Sequence, residues 1–208
     1  MPIPDLTSGA AATAPSFAPV ARERKHSVLL PIMATVFFFS GFSSLLYEVI
    51  WMRRLALFFG SDIYSAALTL SAFMGGLALG SLLAARYTDR LRSTLAWYGL
   101  LEILIGLYAL FFTDFLNLFS SQYHHVYTAY FDSAPWIYHG FRILVATLTL
   151  LIPTTMMGAT LPLIVKHFGR SGEVGRYSGF FYSMNTFGAL VGVLAAGFVL
   201  LPSLGQKR

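Results

Sequence analysis

From Val28 to Tyr47 the chain carries no charge, and the run then meets a carboxylate, Glu48. An uncharged run of this length is what a helix needs to cross the hydrocarbon core of a bilayer, about 20 apolar residues. The pattern recurs. The expected spans are residues 28–52 (with a possible continuation to Phe59), 63–85, 94–113, 141–165 and 177–201. Charged residues make up only 11% of the chain, whereas a soluble domain carries about a quarter. The expected fold is therefore all-α, a polytopic transmembrane helical bundle of five spans, with the lipid bilayer as its first partner. The absence of cysteine removes disulfides, thiolate metal sites and cysteine nucleophiles.

Residues 1–26 are rich in Pro, Ala, Ser and Thr and read as a disordered cytoplasmic tail before a membrane domain covering 27–205. Arg22, Arg24, Lys25 and His26 precede the first run like the basic region of a signal peptide. The run is too long for a signal core, so it reads as an uncleaved signal anchor. Gly60, Ser61 and Asp62 form the first turn, where Ser61 or Asp62 can cap the second helix. Residues 114–139, rich in Tyr, Phe, His and Asp, are too polar to span and suit an interfacial segment on the outer side.

Small residues recur every four positions in two spans: Ala72, Gly76, Gly80 and Ala84 in the second, and Gly188, Gly192 and Ala196 in the fifth. Such stripes let backbones approach closely. In the fourth span Pro153, Gly158 and Pro162 predict a kink or a local opening, because proline removes a backbone donor. Broken membrane helices line cavities in transporters, or a kink can simply shape packing.

The candidate intramembrane polar site is Glu48, Glu102, Arg53 and Asn185. Ionisable side chains at membrane depth are costly and mark functional sites by default. Glu48 and Glu102 suit proton relay or cation binding if they face a cavity; alternatively, each is neutralised by an arginine such as Arg53 or hydrogen-bonded across helices. His124, His125 and His139 with Asp114 and Asp132 are ligand types without ligand spacing, so no metal and no cofactor is expected.

With the amino terminus inside, the inner segments hold nine basic residues (Arg22, Arg24, Lys25, Arg86, Arg90, Arg92, Lys166, Arg170, Arg176) and the outer ones five (Arg53, Arg54, Arg142, Lys207, Arg208). That asymmetry predicts a cytoplasmic amino terminus and explains the net charge of +5 without nucleic acid as a partner.

Three segments carry a resemblance: SGFSSLLYEVIWMRRLALFFGSDIYSAALTLSAFMGGLALGS, PTTMMGATLPL and GRYSGFFYSMNTFGALVGVLAAGFVLLPSLG. In this order, across residues 40–205, they resemble the amino-terminal membrane region of bacterial proteins that fuse a major-facilitator-like domain to a spermidine-synthase-like domain. The resemblance implies a bacterial inner-membrane protein and an incomplete major-facilitator-type half built from inverted three-helix repeats. The loop motif of such transporters is matched by Asp89 and Arg90, but Ala85 stands at the motif's glycine position. No G-x-G occurs, and GGLALG at Gly75 to Gly80 lies inside an apolar run, so no nucleotide-binding or aminopropyltransferase domain is present and the chain is not expected to be an enzyme.

The expected function is a transporter-like or substrate-channelling membrane module associated with polyamine (spermidine synthase-like) proteins, completed by a homodimer partner or by a second membrane or synthase-like protein. The alternative is a non-transporting anchor or scaffold, or a truncated gene product with no activity of its own.

Overall fold

At membrane depth only a helix's own ladder satisfies the backbone, so the uncharged runs fold as helices. The computed structural model describes residues 18–60, 63–169, 173–200 and 202–203. Its elements are α1 (Ala18–Phe59), α2 (Ile63–Tyr87), a 3₁₀ turn (Thr88–Arg90), α3 (Thr94–Asn117), α4 (Ser120–Tyr130), α5 (Pro135–Phe168) and α6 (Val174–Ala195), the last running on as a π-helical stretch, Ala196–Leu200. Among the described residues there is no strand. Five of these helices (α1, α2, α3, α5 and α6) are long and apolar enough to cross a membrane. The chain is an all-α helical membrane bundle.

Gly60 turns the chain between α1 and α2 with φ +95°, a left-handed conformation that a side chain disfavours. The cap residues expected next to it, Ser61 and Asp62, lie outside the described residues. So do residues 1–17 of the expected tail and Arg170, Lys207 and Arg208 of the charge count. The expected tail to residue 26 is corrected in part: α1 already begins at Ala18. Ala, Arg, Glu and Lys are good helix formers, and extending an existing helix costs far less than starting one.

The segment 114–139 is also redrawn. Asp114 to Asn117 complete α3, α4 is a separate helix of 11 residues, and α5 starts at Pro135, six residues before the expected span. Proline at the first helical position has no amide to leave unpaired, which favours this start. Arg142 accordingly lies inside α5, not in an outer loop.

Two glycine-laced pairs organise the bundle. α2 packs along α5, and α1 along α6. A Cβ placed on Gly76 would overlap the Thr154 hydroxyl, and one on Gly80 the Thr155 carbonyl; from the other side, one on Gly158 would overlap the Leu77 carbonyl. The second pair repeats this arrangement. Gly188 and Gly192 press against the Phe38 and Phe42 carbonyls, and Gly41 against the Asn185 backbone. Ala84 and Ala196 are buried on the same stripes, while Ala72 is partly buried.

Pro153, Gly158 and Pro162, where a kink or a local opening is expected, all lie within one continuous helix, α5. Pro153 cannot donate to the Thr149 carbonyl, but the Tyr108 hydroxyl of α3 donates to that oxygen at 2.6 Å. Gly158 marks close approach to α2 rather than an opening.

Two apolar clusters fill the interior. One gathers Trp51, Leu55, Phe73, Phe112, Val145 and Leu150; the other gathers Phe37, Tyr98, Ile164, Phe168 and Phe181. Trp51 stacks on Phe112 with ring centroids 4.9 Å apart, a contact that joins α1 to α3.

Candidate functional site

Along α1, Ser40, Ser44 and Glu48 follow at intervals of four, so they share one side of the helix. Opposite them stand α2 and α5, held close by Gly76, Gly80 and Gly158, and α6, held close by Gly188 and Gly192. Between these four helices lies a partly open cavity of ≈ 330 Å³. Its polar lining comprises Ser44, Glu48, Ser81, Thr160, Tyr182 and Asn185, and its apolar lining includes Phe37, Leu45, Phe73, Met74, Leu77, Met157 and Leu161.

Glu48 is only 7% exposed. It makes no hydrogen bond or ion pair with another described residue. A carboxylate so placed at membrane depth is expensive unless a cation, a proton or a polar ligand joins it. Arg53, five residues on, is exposed and does not stand among the cavity-lining residues described. Asn185 does line the cavity, and Gly41 admits its backbone to α1.

Glu102 stands apart from this cavity. It sits on α3, where the Ser40 hydroxyl of α1 donates to its Oε1 at 2.7 Å. Of the two environments open to these carboxylates, Glu102 has the hydrogen bond across helices and Glu48 has the cavity. The two are not brought to one site.

The loop residues Asp89 and Arg90 do not pair with each other. Asp89 forms an ion pair with Lys166 near the end of α5, and the Arg90 guanidinium lies 5.7 Å from the Tyr87 ring centroid. Both partners of the ion pair are largely solvent-exposed, so the pair ties the turn after α2 to α5 at little net energy.

Arg142 was not among the candidates and is the most buried charge described, 2% exposed. It donates to the Ser65 hydroxyl of α2 and lies 5.5 Å from the Phe59 ring and 5.4 Å from the Tyr138 ring. It therefore joins the end of α1, the start of α2 and the start of α5 by cation–π contacts. α4 covers this junction: the Tyr123 hydroxyl lies 3.2 Å from the Phe59 carbonyl oxygen and 3.0 Å from the Tyr138 hydroxyl. Burial, and then the Tyr138 hydroxyl beside it, push the Tyr123 phenol above its ordinary value of 10.0. The sequence signal was available, since Arg142 follows Tyr138 by one helical turn and precedes a long apolar run.

His139 packs against the Tyr64 and Tyr138 rings. Among the described residues no group of three His, Asp or Glu side chains is placed to hold a metal ion. No protein-family model matches the chain, and neither a curated protein nor a solved structure matches it.

Proposed function

We propose that this membrane module is transporter-like or substrate-channelling, with the cavity at Glu48 as its binding site. The observation that carries the reading is the cavity itself: a buried carboxylate without a side-chain partner among the described residues, in a space of ≈ 330 Å³ between four packed helices. Ligand sites of small molecules begin at about this size.

The major-facilitator-type architecture with inverted repeats is part of the proposal. It is supported by a symmetry in the packing. Exchanging α1 with α5 and α2 with α6 carries the α1–α6 pair onto the α5–α2 pair. The same exchange carries Gly41 onto Gly158, and the Gly188/Gly192 stripe onto the Gly76/Gly80 stripe, each lone glycine facing the partner's stripe. The basic-residue asymmetry supports a cytoplasmic amino terminus, and the resemblance supports a bacterial inner-membrane location. The resemblance to synthase-fused membrane proteins supports an association with polyamine chemistry.

The cavity is only partly enclosed by this chain, which supports a reading in which a second copy of the chain or a second membrane protein completes the pathway. Native mass spectrometry of the protein in nanodiscs, with and without its genomic neighbours co-expressed, tests this. A defined dimer or hetero-complex is expected. A monodisperse monomer under both conditions overturns it and leaves the module as an anchor.

A further inference from the structure

We infer that the cavity selects a compact organic monocation, an ammonium group on an apolar body, over diamines, neutral molecules and anions. The inference rests on the reading of the cavity as a binding site and names what that site takes.

Charge counting comes first. Among the described residues, Glu48 is the single carboxylic acid lining the cavity, and no lysine, arginine or histidine lines it. Glu102, the other intramembrane carboxylate, is held by Ser40 and lies outside the lining. One ammonium neutralises Glu48; a second held within the cavity would have no counter-charge among its described lining, and an anion would add to the negative charge there. The walls decide the rest. Phe37, Phe73, Met74 and Met157 offer apolar, polarisable lining, which receives an apolar body. Ser44, one helical turn before Glu48, and Asn185 supply acceptors for the remaining ammonium hydrogens. A space of ≈ 330 Å³ lies at the small end of small-molecule sites, which suits a compact ligand.

The test is radiolabelled 2-phenylethylamine binding to the full chain in nanodiscs, with competition by 1,4-diaminobutane and by the neutral analogue 2-phenylethanol. Saturable amine binding is expected, with both competitors at least tenfold weaker. Glu48→Gln should weaken the amine at least tenfold, and Glu48→Asp should keep part of the affinity. Ala189→Leu, which fills the cavity without removing charge, should weaken it as well and serves if Glu48→Gln does not fold. Equal competition by the diamine or by the alcohol overturns the monocation inference while the binding cavity stands. Binding unchanged in both Glu48→Gln and Ala189→Leu places the amine elsewhere and overturns it too. No binding of any probe by monodisperse protein overturns the inference and the binding-site reading together.

Discussion

The Tyr108 hydroxyl of α3 donates at 2.6 Å to the Thr149 carbonyl of α5, the oxygen that Pro153 leaves without an amide donor. In apolar surroundings such an oxygen has no water to turn to, so one phenol keeps a proline-bearing helix intact and fastens a third helix to it. Tyr108→Phe is expected to cost about 1 kcal/mol of stability in detergent. Pro153→Ala restores the amide donor, so in that background the Tyr108→Phe cost should shrink towards zero. A double-mutant cycle followed by thermal unfolding checks this; equal costs in both backgrounds would refute the repair.

Adjacent glycines in α2 have opposite surroundings. A Cβ on Gly75 meets nothing within 4 Å, whereas one on Gly76 overlaps Thr154. Gly75→Ala should therefore leave assembly unchanged, while Gly76→Ala or Gly80→Ala should cost about 1–3 kcal/mol through overpacking. Yield of monodisperse protein and its melting midpoint are the readouts, and equal tolerance at all three positions would contradict the α2–α5 packing.

This pair also shows what the sequence could reveal. The four-residue recurrence of small side chains made the stripes of α2 and α6 legible, since period and residue size are both local. Their partners were not. Gly41 stands alone in an aromatic run, and Gly158 sits between prolines, so each reads locally as something else. Proline chemistry likewise announced a lost donor at Pro153 but could not show that Tyr108, 45 residues earlier, supplies another. Glu48 and Glu102 looked equivalent as lone carboxylates, and only the rotation of α1 and α3 against each other separates a cavity residue from a hydrogen-bonded one.

The junction around Arg142 and Tyr123 should respond to alkaline pH. The Tyr123 phenol titrates above the ordinary 10.0 when folded, so its contribution is fully present below pH 10 and is lost as pH rises further towards the folded value. Melting midpoints measured from pH 8 to pH 11.5 should fall above pH 10, and Tyr123→Phe should flatten that fall. An unchanged slope in the variant would contradict the buried hydroxyl pair with Tyr138.

The Asp89–Lys166 ion pair, with side chains 73% and 52% exposed, should matter little to stability. Asp89→Asn is expected to change it by less than about 1 kcal/mol. A larger loss would mean that the pair carries more of the α2–α5 contact than the glycines allow.

The cavity at Glu48 is tested most directly by thiol accessibility, because the chain has no cysteine of its own. Single variants Ser44→Cys and Ser81→Cys line the cavity, and Ile103→Cys stands at an apolar position of α3, 69% exposed and outside the cavity lining, inside a membrane-length helix. In membranes, the two cavity thiols should react with a trimethylammonium-bearing methanethiosulfonate faster than with its sulfonate counterpart. Glu48→Gln should erase that preference, and Ile103→Cys should stay unreactive. If Ser44→Cys and Ser81→Cys react no faster than Ile103→Cys, no water-accessible cavity exists at Glu48 and the account fails.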